Sequence, residues 1–210
     1  MDLFLAVLFF AFSTTITPGP NNVMIMSSGM NYGIRASLPH LAGICLGFPL
    51  MVLLVGLGFG VVFERYPNLH QLIKVLGIAY LIWLAWHIAV AEPKSIAQGK
   101  SKPFSFIQAA LFQWVNGKAW VMASGAVAAF TSVGGIYWIE VSVISAAFLL
   151  VAFPCVGLWL VCGSALRKIL TQPLFQRIFN ITMAIILVLS IVPVLMEVWQ
   201  FYFMAGGDSQ

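Results

Sequence analysis

The sequence predicts an all-α membrane protein with six transmembrane helices, arranged as two inverted three-helix halves with helices 1 and 4 interrupted. Of its 210 residues, 61% are apolar and only 8% are charged, whereas a soluble domain is about 45–50% apolar and about 25% charged. The apolar residues form six long stretches, and the first and fourth each contain a helix-breaking run. The composition excludes a soluble enzyme, a nucleic-acid binder and a disordered chain.

The six apolar stretches cover residues 3–29, 39–62, 70–91, 105–130, 138–163 and 179–203. Each has the length of about 20 residues that a helix needs to cross a bilayer. Polar turns at 31–35, 64–68 and 134–135, a loop at 92–103 and a connection at 167–177 separate the stretches. We therefore expect one transmembrane domain, 1–210, made of a first half (1–91), the loop 92–103 and a second half (104–210).

The first stretch is interrupted by Thr17-Pro18-Gly19-Pro20-Asn21-Asn22. Proline has no backbone N–H and its ring clashes with the carbonyl four residues earlier. Pro18 and Pro20 therefore free the carbonyls of Thr14 and Ile16, and the glycine between them permits an unwound turn. Two prolines, a glycine and two asparagines exceed what a simple kink requires, so the run predicts a discontinuous helix.

The fourth stretch is interrupted by Gln113-Trp114-Val115-Asn116-Gly117-Lys118. Its Asn-Gly pair favours non-helical backbone. Lys118 near one end of this span is open to a second interpretation, in which its ammonium only reaches back to the membrane interface. The break nevertheless falls in the first helix of its half, as the first break does, and a three-span repeat inserts its second copy upside down. Matching interrupted helices in inverted halves indicate the binding site of a transporter.

The distribution of positive residues predicts the orientation. If the N-terminus faces outwards, the inner loops carry seven Lys and Arg residues and the outer segments carry two. Positive residues concentrate on the cytoplasmic side of membrane proteins, so we expect both termini on the outer face. The seven inner residues are Arg35, Lys94, Lys100, Lys102, Arg167, Lys168 and Arg177, and the two outer ones are Arg65 and Lys74.

Several motifs resemble those of the lysine exporter and homoserine/threonine exporter (LysE/RhtB) family. They are the run at 17–22, Gly-Ile-Arg-Ala at 33–36, Gly43-x-x-x-Gly47, the Gly-x-x-Tyr-Leu-x-Trp-Leu-Ala pattern at 77–85, and Asn-Gly-Lys-Ala-Trp at 116–120. The resemblance implies a bacterial inner-membrane exporter of amino acids that is driven by the proton gradient. Residues 79–86 and 106–118 are most similar to the cysteine/O-acetylserine exporter type. One departure is Gly117, where the family usually has proline.

An amino-acid substrate needs replacements for the water that hydrates its two charges. We expect the half-helix after the first break to direct its N–H groups at the carboxylate. Freed carbonyls and asparagine side chains would accept from the ammonium, with Lys118 opposite as an anion contact. The predicted substrate-binding residues are Thr14, Ile16, Pro18, Gly19, Pro20, Asn21, Asn22, Asn116, Gly117 and Lys118. We expect no catalytic residue, no metal and no cofactor.

The charged residues also indicate the substrate class. No Asp or Glu lies near the middle of a predicted span, and a basic substrate would require a buried carboxylate, so neutral side chains fit better. Protons are the expected coupling ion, and Lys118, His40, His87 and the substrate amine all remain open as the carrier. His40 is expected to begin helix 2 beside Pro39, as a residue at the membrane interface. The other expected partner is the lipid bilayer, without nucleic acid. Glycine motifs such as Gly43-x-x-x-Gly47 leave a homodimer open.

Three other functions are consistent with a helical membrane protein. A thiol–disulfide electron carrier would need a cysteine beside a proline in helices 1 and 4, but Cys45, Cys155 and Cys162 lie in helices 2 and 5. The apolar settings of these three cysteines predict buried free thiols. An intramembrane hydrolase would need a histidine against a serine, which no motif here predicts. A channel would need a ring of charges or carbonyls around a pore. We therefore keep the electron carrier as the alternative and expect no enzyme.

Overall fold

The computed structural model describes residues 2–59, 65–90, 102–132, 137–169 and 172–200. Every regular element in these ranges is helical. The helices are α1 (Asp2–Ile16), α2 (Pro20–Tyr32), α3 (Ile34–Leu54, continued by a π turn at Val55–Phe59), α4 (Pro67–Ala89), α5 (Phe106–Phe112, continued by a 3₁₀ turn at Gln113–Val115), α6 (Gly117–Phe130), α7 (Tyr137–Ile169) and α8 (Pro173–Trp199). The predicted turn at 134–135, most of the predicted loop 92–103, and with it Lys94 and Lys100, lie outside the described residues.

Four helical segments in the described ranges are long and apolar enough to cross a membrane: Ile34–Gly58, Gln71–Ala89, Tyr137–Arg167 and Pro173–Trp199. Two shorter apolar segments, Phe4–Ile16 and Phe106–Val115, each end at a predicted break. The prediction of an all-helical membrane protein is confirmed. The short segments are the leading halves of the first and fourth apolar stretches, and α2 and α6 are the trailing halves.

The long helices begin before the apolar stretches that predicted them. Helix α3 begins at Ile34 and keeps Pro39 inside it, whereas hydropathy indicated a start near residue 39. Gly33 is the one residue between α2 and α3, with φ of 81°, a region that strongly favours glycine. The predicted turn at 31–35 is thus a single residue, because a glycine suffices to end one helix and begin the next.

Three apolar clusters hold the helices together. The first joins α1, α3, α6 and α7 around Phe48, Phe148 and Ala123. The second joins α2, α4, α8 and Phe112 of α5. The third lies between them, where α2, α3, α5 and α7 meet. Residues at the breaks pack against both large clusters, Ile16 and Trp114 against the first and Val115 against the second.

Helices α2 and α7 pack with their backbones in direct contact. A Cβ at Gly29 would overlap the carbonyl oxygen of Leu160, and a Cβ at Gly163 would overlap the carbonyl oxygen of Met26. Small residues permit this approach, which is common between membrane helices. We call the contact made by Gly29, Leu160, Gly163 and Met26 the α2–α7 seam. It fixes the half-helix that follows the first break.

Large apolar side chains cover much of the outer surface. Leu150 is 64% exposed, Leu189 61% and Trp86 67%. Soluble monomers rarely expose extended apolar surface, whereas lipid-facing positions are apolar. The exposed side chains are therefore those expected of helices that face a bilayer.

Candidate functional site

The first break separates α1 from α2 over three residues. Helix α1 ends at Ile16, and α2 begins at Pro20. Its N-cap residue is Gly19, which has no side chain to cap the helix. Proline suits this first position because its missing N–H would have no helical partner. The backbone of Val23 donates to the Gly19 carbonyl at 2.9 Å and starts the helix. The positive end of the α2 dipole therefore lies at the break.

Asn22 holds the broken end of α1. Its side chain is 3% exposed, and its Nδ2 donates to the carbonyl oxygens of Thr15 and Thr17, both at 2.8 Å. Two carbonyls at the end of α1 thus accept hydrogen bonds from one side chain of the following helix. Buried polar groups require such partners.

The carbonyls predicted to be free already accept hydrogen bonds from the protein. The Thr17 hydroxyl donates to the Thr14 carbonyl at 2.8 Å. The indole Nε1 of Trp159, on α7, donates to the Ile16 carbonyl at 3.1 Å. A carbonyl oxygen has two lone pairs, so each can accept a second donor.

The second break lies between α5 and α6. The chain tightens into the 3₁₀ turn and then extends at Asn116, with φ of −87° and ψ of 104°. The Asn116 side chain accepts from the backbone N–H of Lys118 at 3.2 Å and caps α6. Asn-Gly therefore ends one helix and starts another, which is the predicted interruption.

The two breaks contact each other directly. Asn21 and Gln113 form a reciprocal amide pair, with Nδ2 to Oε1 at 2.8 Å and Nε2 to Oδ1 at 3.1 Å. Lys118 Nζ donates to the carbonyl and hydroxyl oxygens of Thr17, both at 2.8 Å, and to the Pro18 carbonyl at 3.3 Å. Residues about a hundred positions apart in sequence thus form one polar cluster, here called the break cluster: Thr17, Pro18, Asn21, Gln113 and Lys118.

Cavities of very different size adjoin the break cluster. A large one of about 720 Å³ extends from Pro18 and Lys118, between Trp120 and Ser190, to Lys74 and Glu197. A small one of about 30 Å³ lies among α1, α3, α6 and α7. Gly19 and Lys118 line both cavities. A Cβ at Gly19 would lie 2.7 Å from Lys118 Cδ, so this glycine leaves room for the lysine side chain between the cavities.

The structure brings nine of the ten predicted site residues to these cavities. Ile16 is the exception, because it packs against the first apolar cluster and lines neither cavity. The small cavity is lined by Thr14, Gly19, Asn21, Asn22, Asn116 and Lys118, and the large one by Pro18, Gly19, Pro20, Gly117 and Lys118.

Sequence reasoning did not select Gln113, Thr15, Thr17 or Trp159. Gln113 is fully buried and lies within the second break, so a glutamine in an apolar span is the signal that could have identified it. Thr15 and Thr17 adjoin the proline run. Trp159 carries no local signal, because its contact with Ile16 depends on how α7 packs against α1.

The described part of the chain contains no group of His, Cys, Asp or Glu that could hold a metal ion. It does contain a serine–histidine contact, since Ser28 Oγ and His40 Nδ1 lie 2.9 Å apart. His40 is fully buried and stacks on Phe104, and the expectation that it begins the second helix is wrong. Its helix starts at Ile34, which places residue 40 inside the bundle. Neither residue lines the two cavities.

A family model described as LysE type translocator matches residues 12–197 of the chain. The chain belongs to the LysE-type translocator family. Among its relatives, the cysteine/O-acetylserine efflux proteins of Escherichia coli strain K12, E. coli O9:H4 strain HS and Shigella flexneri are each 33% identical over 179 residues. The match covers 83% of this chain and 88% of each relative. No solved structure matches the chain. Both breaks lie within the residues that the family model matches.

Proposed function

We propose that this protein exports small neutral amino acids across the bacterial inner membrane, driven by the proton gradient. The observation that carries the proposal is the break cluster, in which one ammonium group and the positive end of α2 meet backbone carbonyls beside a cavity. A zwitterion has one carboxylate and one ammonium. The carboxylate is complementary to the Lys118 ammonium and the positive end of α2, and the substrate ammonium is complementary to the backbone carbonyls. The names of the relatives support the cysteine/O-acetylserine class.

The contacts of Lys118 suggest an exchange of hydrogen-bond partners when the substrate binds. Lys118 Nζ now donates to the oxygens of Thr17 and Pro18. In the proposed complex the substrate ammonium takes these acceptors, and Lys118 together with the N–H groups at the start of α2 binds the substrate carboxylate. Each charge then keeps hydrogen-bond partners, which offsets the loss of hydration.

The acidic residues favour a neutral substrate side chain. Glu197 is the one acidic residue lining the large cavity in the described part of the chain, and it is paired with Lys74 at 2.6 Å. The small cavity has no acidic lining residue. A lysine or arginine side chain would bring a cation without a free carboxylate, and an unpaired buried charge is costly.

The proposed architecture has six spans in two inverted halves, with α1–α2 as the first span and α5–α6 as the fourth. Arg167 lies beside the Gly33 turn, and Lys74 contacts Glu197 at the end of α8. The positive inner residues Arg35 and Arg167 therefore share one end of the bundle, opposite Lys74. With both termini outside, the large cavity extends to the outer side, and the α2–α7 seam closes the inner side.

The orientation predicts which introduced cysteines react from outside. In a cysteine-free background, Tyr66→Cys is expected to react in intact cells with a membrane-impermeant maleimide, because Tyr66 is 60% exposed at the proposed outer end. Lys102→Cys is expected to react only after the membrane is permeabilised. Labelling of Lys102→Cys in intact cells would reverse the orientation.

The function predicts export of one class of amino acid. Cells that overexpress the chain are fed dipeptides that raise one internal amino acid at a time, and external amino acids are measured by chromatography. We expect a selective excess of cysteine-sized neutral amino acids over cells carrying an empty vector, and its loss when an uncoupler removes the proton gradient. Normal amounts of protein in the membrane without any external excess would contradict the proposal.

The thiol–disulfide alternative receives no support from the structure. Cys45 and Cys155 are buried free thiols, and Cys162 is exposed on the surface of α7. None of the three lines either cavity or adjoins a break.

A further inference from the structure

The small cavity has one polar and one apolar wall. Backbone and side chains from both breaks form the polar wall, and the apolar wall comes from α3, α6 and α7. Its volume of about 30 Å³ is about twice the 10–15 Å³ that holds a single water. It therefore has room for about two non-hydrogen atoms. The apolar wall consists of Ile44, Phe48, Ala119, Met122, Ala152 and Val156.

Thr15, one of the residues that line this cavity, carries a hydroxyl group without a partner. Thr15 Oγ1 is buried and has no hydrogen-bond partner among the described residues, although Thr15 lines the cavity. Threonine hydroxyls inside helices usually donate to a carbonyl in the preceding turn. Its neighbour does so, since Thr14 Oγ1 donates to the Phe10 carbonyl at 2.6 Å. A buried hydroxyl without a partner is unfavourable, and a ligand can supply the missing bond.

The two cavities are adjacent. Gly19 and Lys118 line both, so a ligand whose charged groups lie against Lys118 and the Thr17 carbonyl can direct a short side chain towards Thr15. The backbone of Thr15 is fixed by the bond from Asn22 to its carbonyl. The hydroxyl therefore keeps a defined position relative to the charged groups.

We propose that the small cavity is the side-chain pocket of the transporter and that Thr15 selects amino acids whose side chain ends in a hydroxyl or thiol. The pocket fits a CH₂–OH or CH₂–SH group in volume, and Thr15 Oγ1 provides the hydrogen bond to its heteroatom. This inference rests on the proposed function, because it assigns a side-chain pocket to the same substrate. Thr15 is a specificity-determining residue in this arrangement.

Competition between two substrates of similar shape tests the pocket. Proteoliposomes containing the full chain are loaded with equal amounts of L-serine and L-2-aminobutyrate, in which a methyl group replaces the hydroxyl. We expect the parent to release serine about tenfold faster, as a hydrogen bond to a buried group allows. In Thr15→Val, which keeps the shape and removes the hydroxyl, we expect the ratio of the two rates to fall to about one.

Two variants separate selection from structure. Thr15→Ser keeps the hydroxyl and is expected to retain the preference. Thr14→Val removes a hydroxyl that is already bonded within α1, so any change in rate should affect both substrates equally. A parent that releases neither amino acid would contradict the proposed function. A parent that releases both without preference, or a preference that survives in Thr15→Val, would contradict the role of Thr15 alone.

Discussion

Replacing Lys118 with methionine is expected to lower the rate of amino-acid export roughly 10- to 100-fold, the range expected for losing hydrogen bonds made by a charged group. Methionine has a similar length but carries no charge and donates no hydrogen bond. It cannot bind the oxygens of Thr17 and Pro18 or a substrate carboxylate. The Thr17 carbonyl keeps its bond from Asn22, so we expect normal amounts of the variant in the membrane. Initial export rates from loaded proteoliposomes measure the effect.

Lys102→Met is the matched control for Lys118→Met, because Lys102 is exposed and the chemical change is the same. We expect it to export at the parent rate. Lys118→Arg keeps the charge with a different shape, so it should retain more activity than the methionine variant. Export at the parent rate by Lys118→Met would contradict a role of Lys118 in binding the substrate.

Gly163→Ala is expected to destabilise the protein by about 1–3 kcal/mol, the usual cost of overpacking a well-packed contact. The added Cβ would overlap the carbonyl oxygen of Met26 in α2. This atom belongs to the backbone of a helix, so no side-chain rotation relieves the overlap, and α2 must move away from α7. We expect a lower midpoint of thermal unfolding in detergent, measured with a thiol-independent fluorescence assay.

Gly157→Ala provides the control on the same helix. No described atom lies within 4 Å of the position where its Cβ would be, and alanine favours a helix over glycine by about 1 kcal/mol. We expect an unchanged or slightly raised unfolding midpoint. Gly29→Ala, which meets the Leu160 carbonyl on the other side of the α2–α7 seam, should behave like Gly163→Ala. Equal midpoints for Gly157→Ala and Gly163→Ala would contradict the close contact.

The positions of the two breaks follow from local chemistry, and so the sequence alone could predict them. Pro18 and Pro20 cannot donate helical hydrogen bonds wherever the surrounding helices lie. Asn116 and Gly117 likewise favour non-helical backbone. The structure places the helix ends at these runs, at Ile16 and Pro20 and at Val115 and Gly117.

His40 shows where local chemistry misleads. A histidine beside Pro39 suggests the start of a helix at the membrane interface, yet the ring is fully buried against Phe104 and Ser28. The helix begins earlier because Gly33 provides the turn. A hydropathy pattern detects only the apolar part of a helix, so it misses a helix start that lies among polar residues. The exposed Cys162 is a second case: an apolar setting predicted a buried thiol, but in a membrane protein the outer surface is apolar as well.

By itself the sequence determined the membrane class, the helical fold, the positions of both breaks and the family motifs, since each depends on composition or on a few consecutive residues. Only the tertiary structure decided which groups meet. The Asn21–Gln113 pair, the contact of Lys118 with Thr17 and the bond from Trp159 to Ile16 join residues 92 to 143 positions apart. The lack of a partner for the Thr15 hydroxyl was likewise decided only by the tertiary structure. Whether its oxygen has a partner depends on how α1, α3, α6 and α7 pack around it, and no local pattern contains that information.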